Sequence, residues 1–315
     1  MSVNIARTAD GWWVERGGRL VPIDTRATTT RELLADREAI DRAVENGSEG
    51  PFAKDVVLVS PVTAPARVVA QMVNYRSHAI DSGFDPDAVP PTFFRKASAS
   101  VTGPTGDIVC PPHVGFLDYE IELGLVLGRR LEIGDVVTAE NLGEYVAGLV
   151  ITNDVSARDI QLTRTQFYES KSYPTFTPVG PYLALVSAGE LADLNALGLR
   201  LTVNGEVRQN STVAEMIVRP AEALTLLAQF QILDAGDLVL TGTPGGTALK
   251  APPKVVEKIA ALLPPAVKWR AFFSRQASNP RYLHHGDVVT ATIGRMDGAV
   301  DLGMQVNTVR SGGVR

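Results

Sequence analysis

The sequence of 315 residues exceeds one average domain, and its 45% hydrophobic and 21% charged residues are those of an ordinary globular protein with a large core. The net charge of −5, without a local cluster of Lys and Arg, argues against a nucleic-acid partner. The single cysteine, Cys110, excludes an internal disulfide bond and suits a reducing compartment. No signal peptide and no apolar run of membrane-spanning length are recognisable, so we expect a cytoplasmic protein with no membrane partner.

The first 64 residues are predicted to form a small support domain of mixed α and β structure. Residues 12–14 and 20–23 are candidate strands on either side of a glycine turn. Thr29 and Glu32 have the spacing of a helix capping box, and an amphipathic helical pattern follows them. A third strand is expected at residues 56–59. Nothing in this segment indicates chemistry.

Residues 65–315 are predicted to form a larger, mostly β domain with peripheral helices, which makes the fold class α+β. The prediction is based on short β-rich runs separated by Gly, Pro and Asp. The clearest internal helix candidate is residues 224–233. The candidate strands are residues 68–73, 120–126, 145–152, 182–186, 199–203, 237–240 and 288–293.

Residues 250–285 interrupt this pattern with two Pro-Pro pairs, a helical run at residues 255–263 and an aromatic cluster. The cluster consists of Trp269, Phe272 and Phe273, whose side chains need partners against which to be buried. Because so long an excursion between two strands is usually functional, we expect a lid over a site or a contact between subunits.

Acidic side chains alternate along the segment that begins at Asp118. Because strand side chains point alternately to opposite faces, Asp118, Glu120 and Glu122 share one face, which becomes apolar from Gly124 onward. Asp154 follows a second apolar run, where another buried strand is expected to end. Converging carboxylates repel one another unless a cation lies between them, and hard divalent cations prefer oxygen ligands. The alternative is a solvent-facing strand edge whose charges oppose aggregation.

Several motifs resemble those of the fumarylacetoacetate hydrolase family and occur in the same order, over about residues 65–309. They are residues 74–81, 117–123, 152–161, 176–181, 203–209, 236–237 and 241–244. The resemblance implies a mixed β-roll that encloses a metal ion, with the small N-terminal domain beside it, and a homodimer as the common assembly. It also implies that Glu120, Glu122 and Asp154 bind Mg²⁺ or Mn²⁺.

His78 and Asp81 are three residues apart, a spacing that brings side chains together on a helical turn. An acidic partner orients an imidazole and raises its basicity, as a water-activating base requires. A purely structural histidine is the alternative. The segment resembles the family motif whose His and Glu activate the hydrolytic water, with Asp81 in place of Glu. The resemblance therefore implies that both are catalytic.

The resemblance also assigns roles to residues later in the chain. Lys171 matches the catalytic lysine of the family, and Thr243 matches a threonine that helps to bind the acid group of the substrate. The other candidates for holding the substrate are Tyr75, Arg76, Arg158 and Gln161.

These features together predict a metal-dependent hydrolase that cleaves a carbon–carbon bond in an acylpyruvate-like 2,4-dioxo acid through a metal-stabilised enolate. Such a reaction would belong to aromatic catabolism. A hydratase, decarboxylase or isomerase of a related 2-oxo or 2-hydroxydienoic acid is the alternative, because one centre of this kind supports several reactions. An inactive metal-binding paralogue is a further alternative.

Overall fold

The computed structural model describes residues 2–48, 50–252 and 264–312. Strands dominate this part of the chain. In chain order they are β1 (Val3–Thr8), β2 (Gly11–Arg16), β3 (Arg19–Pro22), β4 (Val68–Met72), β5 (Thr92–Lys96), β6 (Val101–Thr102), β7 (Ile108–Cys110), β8 (Leu117–Asp118), β9 (Ile121–Leu127), β10 (Val146–Asn153), β11 (Ser156–Ala157), β12 (Thr177–Pro178), β13 (Leu183–Leu185), β14 (Gly198–Val203), β15 (Glu206–Thr212), β16 (Leu238–Leu240), β17 (Val288–Gly294) and β18 (Asp301–Ser311).

The helices are short, with one exception near the C-terminus. They are α1 (Thr30–Ala35), α2 (Arg37–Asn46), α3 (Arg76–Asp81), α4 (Leu142–Tyr145), α5 (Arg158–Thr163), α6 (Tyr168–Lys171), α7 (Ala188–Ala192), α8 (Pro220–Leu227) and α9 (Pro265–Ala277). None of the described helices is long and apolar enough to cross a membrane. The predicted fold class, mostly β with peripheral helices, is confirmed.

The strands form two main sheets. The larger has nine strands in the spatial order β3-β2-β1-β13-β10-β9-β16-β4-β5, and the smaller has five in the order β15-β14-β17-β18-β7. Strand β9 lies inside the larger sheet, antiparallel to both of its neighbours, β10 and β16. The start of β9 therefore lies at the same end of the sheet as the end of β10, and this juxtaposition positions the acidic residues.

The side chains of β9 separate two buried clusters, as the alternation in the sequence predicts. Ile121, Leu123 and Leu125 belong to the larger cluster, which also contains the inward side chains of the five-stranded sheet. Val126 points the other way, into a second cluster that contains residues of α1 and α2. Both faces of β9 are therefore buried, and removing this apolar surface from water stabilises the core.

The first 64 residues add an edge to the larger sheet, because β1 pairs with β13 in antiparallel register. Their side chains share the second cluster with later strands, as the common burial of Ile5, Val14, Val150 and Leu238 illustrates. The capping box is present, since the Thr29 side chain accepts from Glu32 N and the Glu32 side chain accepts from Thr29 N. The domain boundary at residues 64/65 stays a prediction.

Two predicted elements differ in the structure. Residues 56–59 form no strand, because only Val59 pairs with another segment, through a single antiparallel bridge to Arg7. The predicted helix at residues 224–233 is α8, which begins at Pro220, where a missing N–H costs nothing, and ends at Leu227. The chain then turns to pair Leu233 with Leu131. The helical run predicted at residues 255–263 lies outside the described residues.

Candidate metal centre and active site

Three carboxylates converge where β9 begins and β10 ends. Glu120 directly precedes β9, Glu122 is the second residue of that strand, and Asp154 directly follows β10. The backbone joins the two strands there, with Asp154 N donating to Glu120 O at 2.8 Å. One side-chain oxygen from each of the three lies within 4.8 Å of the others. The alternation that predicted this cluster depends on a period of two, which only an extended strand supplies.

The triad of Glu120, Glu122 and Asp154 is buried, with relative exposures of 5%, 1% and 1%. A solvent-facing strand edge is therefore excluded for these side chains. Asp118, which shares the sequence pattern, is fully buried but belongs to a neighbouring ion pair and not to the triad. Buried carboxylates require compensating charge or a metal ion, because desolvation of a charge is costly.

A divalent cation fits the triad on the chemistry of its donors and on the charge balance around Glu122. Glu122 forms no ion pair with a described residue; its Oε2 accepts only from Gly242 N, at 2.6 Å. Burial, reinforced by Asp154 and Glu120, raises the pKa of Glu122 well above its usual value. No described cation therefore pairs directly with Glu122, and three carboxylates are ligands that Mg²⁺ and Mn²⁺ prefer.

Two buried lysines contact the other two carboxylates. Lys171 Nζ lies 2.7 Å from Glu120 Oε2 and 2.6 Å from Asp154 Oδ2. Burial opposes the charge of Lys171, but Asp154 and Glu120 raise its pKa overall. Lys96 Nζ donates to Asp154 Oδ1 and, at 2.9 Å, to Phe176 O. Lys96 was not predicted, because a lysine at the end of an edge strand ordinarily faces solvent.

Arg158 links Asp118 to the triad. Its Nε donates to Asp118 Oδ2 at 2.8 Å, and its terminal nitrogens donate to Glu120 and to Gln161 Oε1. Burial opposes ionisation, but the carboxylates of Glu120 and Asp118 raise the pKa of Arg158 overall. Both Arg158 and Gln161 line the cavity, and their role in holding the substrate stays a prediction. In the structure the guanidinium is occupied by protein acceptors, so it positions the Glu120 carboxylate.

The predicted Thr243 lies on the cavity wall in the loop after β16. Its hydroxyl donates to Ile121 O at 2.9 Å and accepts from Gln209 Nε2 at 2.8 Å. The preceding Gly242 has a φ of +86°, and a Cβ at this residue would lie 2.6 Å from Asn74 Cβ. Only glycine fits here, and the fit brings the Gly242 amide to Glu122.

The expected hydrogen-bonded pair of His78 and Asp81 is not formed, which corrects the prediction. Asp81, the last residue of α3, accepts instead from Gly246 N at 3.1 Å and Lys250 Nζ at 2.9 Å. An Asp side chain is one methylene shorter than the Glu of the family motif, and it is held on the side of the helix facing the loop after Thr243. His78 lies on the cavity wall, and its buried Nδ1 has no hydrogen-bond partner among the described residues. Burial lowers the pKa of His78, which favours the neutral imidazole.

The other two candidates from this segment do not lie on the cavity wall. Tyr75 is fully buried, with a hydroxyl that has no partner among the described residues. Burial, more than the nearby carboxylate of Glu122, raises the pKa of Tyr75. Arg76 is at the surface and pairs with Asp87 at 2.8 Å. Neither is placed to contact a ligand at the triad in this arrangement.

A cavity of about 970 Å³ opens onto the triad. Its walls include His78, Lys171 and Thr243, together with residues of α9. The predicted excursion at residues 250–285 thus contributes a wall of the site through its described helix. Whether it also joins subunits stays a prediction.

The fold and the buried triad define a sheet-rich protein with a carboxylate centre at one end of its main sheet. Residues 67–310 match the family model described as fumarylacetoacetate (FAA) hydrolase, C-terminal. The chain belongs to this family.

Relatives within the family differ in their named reactions. The chain is 37% identical over 207 residues to a mitochondrial oxaloacetate tautomerase from Bos taurus, a match that covers 65% of this chain and 64% of that protein. It is 36% identical over 197 residues to a 2,4-didehydro-3-deoxy-L-rhamnonate hydrolase from Sphingomonas sp. (strain SKA58), covering 62% and 67%. These relatives are enzymes, but they do not share one reaction.

Solved structures resemble the whole chain. A probable 2-hydroxyhepta-2,4-diene-1,7-dioate isomerase from Mycobacterium abscessus is 27% identical, with a TM-score of 0.75 and 100% of each chain covered. A fumarylacetoacetate hydrolase from Exiguobacterium antarcticum is also 27% identical, with a TM-score of 0.73 and coverage of 99% and 100%. The similarity therefore extends through the N-terminal segment, beyond the residues that match the family model.

Proposed function

We propose that the protein is a divalent-metal-dependent enzyme that forms the enolate of a small 2-oxo acid, and that its reaction is keto–enol tautomerisation of that acid. The observation that carries the proposal is the presence of Glu120, Glu122, Asp154 and Lys171 on one cavity. This set contains the groups that enolate chemistry requires: ligands for a cation and an amine beside them.

In this proposal Glu120, Glu122 and Asp154 hold Mg²⁺ or Mn²⁺. When bound, the cation supplies Lewis-acid polarisation of the 2-oxo acid group. The Gly242 amide orients Glu122, and Arg158 orients Glu120 through charge-assisted hydrogen bonds. Such supporting contacts fix the ligand geometry before the cation arrives.

Lys171 is the proposed group for proton transfer at carbon. Its Nζ contacts both Glu120 and Asp154, so a substrate held at the triad lies beside it. In ketonisation of the enol, a C–H bond forms at the carbon next to the 2-oxo group and the enol O–H bond breaks, while no carbon–carbon bond is cleaved. The Lys171 ammonium can give its proton to the carbon, and the amine that remains can take the proton released by the oxygen.

Tautomerisation is preferred to hydrolysis because it requires no activated water. Asp81, expected to support a water-activating His78, is used by Gly246 and Lys250. The similarity to mitochondrial oxaloacetate tautomerases supports the same choice.

The second candidate is the expected hydrolase of an acylpyruvate-like 2,4-dioxo acid. It is favoured by His78, which lies on the wall of the same cavity and whose Nδ1 has no hydrogen-bond partner among the described residues. The similarity to a 2,4-didehydro-3-deoxy-L-rhamnonate hydrolase also supports it.

The test compares oxaloacetate, followed by the ultraviolet absorbance of its enol, with acetylpyruvate, followed by loss of its absorbance, with Mn²⁺ and with EDTA. The proposal predicts that Mn²⁺ increases the rate at which the enol of oxaloacetate equilibrates with the keto form. Glu122→Ala should lower this rate by more than roughly 10–100-fold, which is the usual cost of losing a residue that only supports a metal ligand. Lys171→Met should abolish turnover while Mn²⁺ still binds, and the exposed-residue control Glu140→Ala should change neither property.

His78→Ala separates the two candidates. A tautomerase should keep most of its activity in this variant, whereas a hydrolase should lose cleavage of acetylpyruvate. Mn²⁺ binding without turnover of either acid by the wild type would contradict both candidates and indicate an inactive metal-binding paralogue.

We further propose a homodimer in the cytoplasm that takes a small 2-oxo acid and neither nucleic acid nor membrane as its partner. The proposal follows from the family resemblance and the composition of the chain. The mass of the protein in solution, measured by light scattering, tests the dimer; a monomeric mass would contradict it.

A further inference from the structure

An aromatic wall begins directly beside the carboxylate triad. The ring of Phe94 lies 5.4 Å from Lys171 Nζ, and its edge meets the ring of Phe167 with 5.5 Å between centroids. Both rings line the cavity, and Phe167 immediately precedes the helix that carries Lys171. An apolar surface therefore adjoins the position where the reacting end of a substrate would lie.

A second aromatic group lines the same cavity from α9. Trp269 and Phe272 contact each other at 5.9 Å between centroids, and Trp269 is 44% exposed. Phe84, also on the cavity wall, is 50% exposed. Exposed aromatic side chains gathered in one concavity, instead of scattered over the surface, indicate a place where an apolar ligand is bound.

The cavity is too large for a 2-oxo acid head group alone. Its volume of about 970 Å³ is near the upper end of the roughly 300–1,000 Å³ of pockets that enclose drug-sized ligands. The acid group and its cation would occupy only the end lined by the triad, which leaves the aromatic part for the rest of the substrate.

The cations nearest the triad and its loop are already engaged by protein groups. Lys171 and Arg158 contact carboxylates, Lys250 pairs with Asp81, and Arg281 donates to Gly246 O. Lys268 and Arg275 of α9 are exposed, and an exposed ion pair gains little. The walls thus favour an uncharged group over a second carboxylate.

We propose, on the basis of the function proposed above, that the substrate is a 2-oxo acid with an aromatic or similarly bulky apolar group at its distal end. Phe94 and Phe167 bind the part of that group nearest the reacting atoms, and Trp269 with Phe272 bind its far end. These residues determine which 2-oxo acid is accepted and take no part in the chemistry.

The test is isothermal titration calorimetry of the Mn²⁺-loaded protein with pyruvate and with 2-oxo-4-phenylbutanoate. Both acids have the same 2-oxo acid head group, and the proposed reaction cleaves neither of them. Burial of the phenyl group predicts that the second acid binds at least about tenfold more tightly. Phe167→Ala and, at the more exposed end, Trp269→Ala should each remove most of this preference and leave pyruvate affinity unchanged. The matched control is Tyr168→Ala, since Tyr168 is next in sequence, 55% exposed and absent from the cavity wall.

Equal affinities for the two acids would overturn the inference and leave the proposed function standing. A preference that survives both substitutions would overturn it as well. Mn²⁺-independent or absent binding of both acids would instead contradict the proposed function, and the inference with it. Unchanged pyruvate affinity in each variant verifies that the variant is folded.

Discussion

Lys96 illustrates how a buried charge supports the site without belonging to the predicted set of residues. Its ammonium group is fully buried and donates to Asp154 and to Phe176 O. Removing one partner of a buried ion pair leaves the other uncompensated, and this loss is more costly than the loss of the pair as a whole. The lysine therefore stabilises Asp154 when no cation is bound.

We expect Lys96→Met to lower the free energy of unfolding by about 3 kcal/mol in EDTA, because Asp154 loses a buried partner. Mn²⁺ should restore part of the loss, since the cation supplies the missing charge. Chemical denaturation with EDTA and with Mn²⁺ measures both values. The control Lys54→Met alters an exposed lysine and should change stability by no more than about 0.5 kcal/mol. An equal loss with and without Mn²⁺ would show that Lys96 does not serve the triad.

The loop after β16 is attached to α3 by several hydrogen bonds. Asp81 accepts from Gly246 N and Lys250 Nζ, Asp81 O accepts from Ala251 N at 2.8 Å, and Ser77 Oγ accepts from Gly245 N at 2.9 Å. Since this loop continues from Thr243 along the cavity wall, Asp81 is a positioning residue for the loop.

Asp81→Ala should raise KM about fivefold to tenfold, because the side chain contributes two hydrogen bonds of about 1 kcal/mol or less each to the loop. The pH profile of kcat should not move, since Asp81 does not contact the imidazole of His78. Steady-state kinetics across pH measures both effects, with the exposed Asp87→Ala as control. If Asp81→Glu increased kcat and Asp81→Ala shifted its pH profile, the catalytic pair expected from the sequence would be restored as the explanation.

The sequence was sufficient to predict those elements whose side chains repeat with a regular period along the chain. The alternation along the strand separated the acidic side chains from Ile121 and Leu123 of β9, and these two belong to the larger buried cluster. The same pattern located Glu120 and Glu122 on the opposite face. It could not reveal Lys96 or the true partners of Asp81, because these contacts join segments whose approach depends on tertiary packing and leaves no periodicity in the sequence.

At the scale of the molecule, the N-terminal segment completes a shared core. Ile5, Trp12 and Val14 belong to the same buried cluster as Val126 and Val150. Strand β1 also covers the edge of β13, which would otherwise present unpaired backbone groups. The pairing of β1 with β13 was not predicted, since strand partners distant in sequence cannot be read from composition or periodicity.

Removing residues 1–64 should therefore leave a chain that aggregates, because an apolar face and a sheet edge become exposed. Soluble yield and light scattering of the 65–315 fragment measure this outcome. The point variant Val57→Ala, at a 77% exposed side chain in the same segment, should behave like the wild type. A soluble fragment that unfolds cooperatively and still binds Mn²⁺ would show that the two parts are independent domains.

The position of β9 between β10 and β16 determines when the site can be assembled during protein synthesis. During translation, β9 emerges from the ribosome well before β16 (Leu238–Leu240). One edge of β9 therefore stays unpaired until β16 has been translated. The Gly242 amide that holds Glu122 emerges later still. Because such long-range pairing is slow and an open strand edge invites aggregation, the nascent chain has to be protected until about residue 242 is available. Assembly of the carboxylate triad is thus a late event in the biogenesis of the protein.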